Sequence, residues 1–129
     1  MELDMTSIDL FAAAALTVGV SLIHSWLGER RLIGPLLTSE PQPTALRSSF
    51  LRNVLRYAWH LTSLAWIGMA GVMIALAHEP LSGPGRLAAA LVGATFLIHA
   101  AVAVGISRGR HLAWPVFLAI GLLCLGAAR

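Results

Sequence analysis

The chain has 129 residues, of which 57% are hydrophobic and only 12% charged, and its mean hydropathy is +0.78. An ordinary soluble domain carries about 25% charged residues, so this composition leaves too little polar surface to cover a compact soluble fold. The net charge of +3 comes from nine arginines and no lysine, seven of them in two segments that flank apolar runs, a distribution that excludes a nucleic-acid footprint and reads as membrane topology.

Glu2, Asp4 and Asp9 precede or enter the first apolar run, 8–27, without a basic n-region, so this run reads as a membrane span and not as a cleaved leader. A helix rises ~1.5 Å per residue and a hydrocarbon core is ~30 Å thick, so about twenty residues are needed to cross it. The run meets that length. A polar segment follows, with Arg30, Arg31, Arg47, Arg52 and Arg56, broken at Gly34-Pro35 and Pro41-Gln42-Pro43. Thr44 is a candidate cap for a short amphipathic helix over 45–56, in which Leu46, Phe50, Leu51, Val54 and Leu55 share one face. Such a helix would lie on the inner leaflet, with Arg47, Arg52 and Arg56 touching anionic lipid headgroups.

The second span covers 57–77 and ends at the turn His78-Glu79-Pro80 through Gly85; the third covers 87–106; a short connection with Arg108 and Arg110 leads to the fourth, 112–128, with Pro115 in its first turn. Cys124 in this last span is the only cysteine, which excludes an intramolecular disulfide, a CxxC pair or a multi-thiolate zinc site and leaves a small buried apolar residue. Runs rich in Ala, Leu and Gly without alternation do not suit barrel strands of about ten residues. The expected fold is therefore all-α: four antiparallel transmembrane helices in one domain, plus the cytoplasmic amphipathic helix. The arginine bias puts the first and third connections in the cytoplasm and both termini in the periplasm of a bacterial inner membrane. Ala15/Gly19, Ala89/Gly93 and Ala101/Gly105 have the small-xxx-small spacing that lets helices approach closely. Trp26, Trp59 and Trp114 fit an interfacial belt; Trp66 lies deeper and does not.

Chemistry, if present, rests on histidine. His24 and His60 each lie ~6 Å inside the cytoplasmic end of their helices and His99 ~12 Å inside its own, at helical rise. His111 sits at the boundary and His78 on the opposite side. Thr17, Ser21, His24, Ser25 and Gly28 form a polar stripe on the first span; Ser63 shares a face with His60, and Thr95 lies one turn from His99. Polar side chains are disfavoured against lipid, so the stripes should turn inward. Three converging imidazoles would ligate a transition metal ion or hold haem b, with serines and threonines fixing the ring tautomers. Glu29, the only acid in Gly28-Glu29-Arg30-Arg31, either pairs with Arg30, Arg31 or Arg56 or supplies a carboxylate ligand. The alternative reading is a non-catalytic accessory or lipid-interacting subunit in which the histidines only pack. Either would act in the bilayer, with a membrane protein partner or a second copy of the chain. No GxSxG, HExxH or cysteine pair points to a particular enzyme.

The segments His24-Ser25-Trp26-Leu27-Gly28-Glu29-Arg30 and Arg56-Tyr57-Ala58-Trp59-His60-Leu61-Thr62-Ser63-Leu64-Ala65-Trp66 resemble an uncharacterised family of small bacterial four-span inner-membrane proteins. That resemblance covers mainly the first half of the chain and implies a fold but no mechanism. The His24-Ser25 pair also resembles the NnrU and ζ-carotene isomerase group, whose members are larger and for which the resemblance implies haem ligation by histidine.

Overall fold

The computed structural model describes residues 4–78 and 80–129; Glu2 and Glu79 lie outside the described residues. All regular structure among the described residues is helical. Helix α1 spans Met5–Gly28 and starts at Asp4, whose carboxylate accepts the Ser7 N–H at 2.7 Å. That bond holds the Asp4 carboxyl below its usual value.

Helix α1 does not end where the first apolar run ends. It passes through a π-helical turn, Glu29–Ile33, into the short helix α2, Gly34–Thr38, so the helical stretch Met5–Thr38 is 34 residues long. The Gly34 N–H donates to the Glu29 carbonyl across this turn, and a Cβ on Gly34 would lie 2.7 Å from that oxygen. The wider π turn thus needs glycine at its exit.

A 3-10 turn, Thr44–Arg47, precedes α3, Ser49–Leu76. The separate amphipathic helix expected over 45–56 is corrected here. The chain breaks at Ser48, which is extended, and residues 49–56 are simply the first two turns of α3, because no Gly or Pro separates them from the apolar run. Ser48, not Thr44, stands at the start of the helix, without a side-chain cap.

Helix α4, Gly83–Ser107, has Pro84 in its first turn and ends with Arg108 left-handed at φ 52°, followed by Gly109 at φ 77°. This tight reversal leads to α5, Ala113–Ala127. Among the described residues three helical stretches are long and apolar enough to cross a membrane, and α5, at 15 residues, is shorter. The observed helices enclose or nearly match all four expected spans.

The helices run up and down. Ser7 Oγ near the start of α1 donates to Ala77 O at the end of α3 (2.9 Å), while His24 late in α1 meets Ser63 early in α3. Helix α1 packs between α3 and α5, and α4 packs chiefly on α5. The core lies toward the end remote from the two arginine-rich connections: Leu10, Ala13 and Ala14 of α1, Ala70 and Met73 of α3, Ala89 and Phe96 of α4, Ile120 and Cys124 of α5. Cys124 is free and fully buried, as expected of a small apolar residue.

Of the three small-residue pairs, one is used. Gly93 meets Gly121, a Cβ on either lying 3.0 Å from the other's carbonyl oxygen. Around Gly19 and Gly105 there is open space instead, and Ala15 and Ala101 are exposed.

Candidate functional site

Helices α3 and α4 are joined at the turn after Leu76 but touch little beyond it. Toward the arginine-rich end they leave a cavity of about 620 Å³, walled by α1, α3, α4 and the start of α5. Its volume falls in the ~300–1,000 Å³ range of small-molecule and cofactor sites. Most of its wall is apolar, from residues such as Leu27, Ile98, Val102 and Phe117, and its few polar groups are His24, His99, Thr62, Ser107, Arg31 and His111.

Trp66 organises the interior. It is 5% exposed, and its ring lies edge-on to His24 (5.0 Å between centroids), His99 (5.7 Å) and Phe117 (5.2 Å). This contact set explains why Trp66 sits deeper than an interfacial belt requires. Edge-to-face contacts of this kind hold aromatic planes in fixed orientation.

His24 is fixed on two further sides. Its ring stacks on Trp59 with 4.4 Å between centroids and 6° between planes, and its Nδ1 is 2.9 Å from Ser63 Oγ. Trp59 in turn donates its indole N–H to the His24 carbonyl at 3.2 Å. Gly28 makes that approach possible, since a Cβ there would lie 2.2 Å from Trp59 Nε1. His99 lies 2.8 Å through Nδ1 from the Thr95 carbonyl oxygen. A carbonyl only accepts, so Nδ1 carries the proton and the neutral ring keeps its lone pair on Nε2. His24 Nδ1 meets a hydroxyl, which donates or accepts, so Ser63 orients the ring without setting which nitrogen carries the proton.

His60 does not join them. Its Nδ1 is 2.6 Å from Ser25 Oγ and its Nε2 is 3.2 Å from Glu29 Oε2, so both ring nitrogens are engaged away from the cavity. Glu29 completes the cluster by binding Arg56 at 2.9 Å, the pairing expected of a lone acid beside a cationic rim. The expected convergence of His24, His60 and His99 is therefore replaced by two crossed links between α1 and α3, His24 to Ser63 and Ser25 to His60. Among the described residues no three His, Cys, Asp or Glu side chains are grouped closely enough to hold a bare ion.

The polar stripe of α1 does turn inward, but apart from Ser25, which reaches His60, its hydroxyls satisfy their own helix. Thr17 donates to Ala13 O at 2.8 Å and Ser21 to Thr17 O at 2.6 Å, both side chains fully buried. Thr95 likewise donates to Leu91 O, and it is its carbonyl, not its hydroxyl, that orients His99.

The three arginines expected at lipid headgroups differ in their partners within the chain. Arg52 donates to the Leu46 and Arg47 carbonyls at 2.9 and 3.1 Å, closing the 3-10 turn, and Arg56 is held by Glu29. Arg47 is exposed, its side chain in no salt bridge among the described residues. No family model, curated protein or solved structure matches the chain.

Proposed function

We propose that the chain is a four-span membrane protein that binds haem b in this cavity, with His24 and His99 as nitrogen ligands. The observation that carries the reading is that these imidazoles, from α1 and α4, line one apolar cavity with Nδ1 hydrogen-bonded and Nε2 left for a ligand. A structural zinc-like ion takes about four protein donors. Haem brings four ring nitrogens of its own and asks the protein only for axial ligands. Two histidines and an apolar chamber therefore favour haem over a bare ion. When bound, the group would supply one-electron chemistry. The chain's own residues do the rest: the Thr95 carbonyl fixes the His99 tautomer, Ser63 orients His24, Trp59 holds the His24 plane, and Trp66 and Phe117 pack edge-to-face on the inner wall.

Protein purified in mild detergent is expected to show a Soret band that scales with protein and forms a pyridine haemochrome. A protein without that band, carrying only phospholipid, would point to the accessory or lipid-interacting reading. One feature favours that alternative: Ile98, Val102 and Ile106 at the cavity's edge are all more than half exposed, so the cavity is open along α4 to an acyl chain.

The orientation we infer places both termini in the periplasm and the arginine-rich end in the cytoplasm of a bacterial inner membrane, with Arg47 at the headgroup level and Arg52 and Arg56 just behind it. A periplasm-active reporter fused after Arg129 is expected to be active. Activity from the same reporter placed near Gln42 instead would reverse the orientation.

A further inference from the structure

Two hydrogen-bond donors stand at the mouth of the cavity, and the haem reading does not yet use them. Arg31, carried by the π-helical turn, lines the cavity and makes no salt bridge with any carboxylate among the described residues. Its neighbours behave otherwise: Arg30 lies over the Trp26 ring at 4.9 Å, and Arg56 takes Glu29. His111 lines the cavity from the α4–α5 connection. Its Nδ1 accepts the Ala113 N–H at 3.2 Å, so the neutral ring carries its proton on Nε2, the opposite tautomer from His99. The backbone N–H of His111 donates to Ser107 Oγ at 3.1 Å, which fixes the residue further.

The cavity is thus polarised along its length. His24 and His99 line it deeper in the bundle, and the exposed Arg31 and His111, a guanidinium and an imidazole N–H, line it at the arginine-rich end. We infer that Arg31 and His111 form an anion-binding rim that seats the carboxylates of the porphyrin edge, so that the group enters apolar edge first with its acid groups toward the arginine-rich end. This rests on the haem reading and adds an orientation to it. Arginine matches a carboxylate through two parallel N–H···O bonds, and such charge-assisted bonds are about twice as strong as neutral ones.

The test compares iron protoporphyrin IX with its dimethyl ester, which keeps the iron and ring but removes both negative charges. Each is titrated into detergent-solubilised, delipidated protein and followed by the Soret shift. Arg31→Ala is expected to weaken binding of the free acid about tenfold, the usual scale of one charge-assisted bond. It is expected to leave the ester within about twofold, and Arg31→Lys to recover part of the loss. His111→Gln, which keeps a donor, is expected to perturb less than His111→Ala. Equal binding of the free acid by wild type and Arg31→Ala, or parallel losses for acid and ester, would overturn the rim. Failure of wild type to bind either porphyrin would overturn the haem reading itself, and retention of an anionic phospholipid by wild type but not by Arg31→Ala would reassign the rim to a lipid headgroup.

Discussion

His99→Ala is expected to convert the low-spin spectrum of a haem held by two imidazoles into a high-spin one and to weaken retention by at least about tenfold, the loss that even a disturbed ligand partner produces. The expectation follows from the tautomer. The Thr95 carbonyl takes the Nδ1 proton at 2.8 Å, so Nε2 is the only ring atom of His99 left to bind iron. His24→Ala should behave the same way, and imidazole added to either variant should restore the low-spin bands by occupying the vacated space. His60→Ala is the control. Its ring is spent on Ser25 and Glu29, so the spectrum should stay unchanged while the link between α1 and α3 loosens. Loss of the low-spin bands in His60→Ala with retention in His99→Ala would defeat the assignment. Insertion should survive in all three, because the long apolar helices carry it.

The fold was largely legible because spans are written in length and hydropathy, quantities that a window of residues contains. The four apolar runs agree with the helices to within a few residues, apart from the added turns at 49–56 and the continuation of the first helix through the π turn and α2 to Thr38. An amphipathic stretch with no breaker after it has no reason to bend, and a sequence pattern shows the face of a helix, not its direction, so 49–56 run straight into the apolar span.

The site was half legible for a related reason. Helical rise fixes how deep a residue lies, and His24, His60 and His99 do lie toward the arginine-rich end. Rotation about the axis and the choice of neighbouring helix decide which depths meet. His24 and Ser25 are adjacent in the chain, yet one lines the cavity and the other turns to His60, because successive residues on a helix point about 100° apart. In the sequence Arg31 carries only a topology signal and His111 only a boundary position. Nothing local in the sequence shows that a π turn brings the first to the cavity or that the Ala113 N–H sets the tautomer of the second. Gly121, which allows α4 and α5 to approach, belongs to no small-xxx-small pair, with Phe117 and Leu125 four residues to either side, and only its contact with Gly93 identifies it.

Trp66→Ala is expected to produce the largest loss of stability of any single change considered, about 3–5 kcal/mol on the scale of truncating a buried tryptophan. Trp66 is 5% exposed and touches rings from three other helices: His24 of α1, His99 of α4 and Phe117 of α5. Helices α3 and α4 have few other contacts beyond their connecting turn, so this indole is one of the main bridges across the gap that forms the cavity. Its removal should enlarge the cavity, free both imidazoles to rotate and lower haem affinity along with stability. Trp66→Phe should keep an edge-to-face partner for both histidines and recover most of each property. An SDS titration of the detergent-solubilised variants, read by loss of helical circular dichroism, measures the first effect and the Soret titration the second. If Trp66→Ala unfolds at the wild-type midpoint, the indole is not packed between these helices, and the cavity does not have the floor described. If instead stability falls while haem affinity holds, Trp66 serves the bundle alone, and the orientation of His24 rests on Trp59 and Ser63.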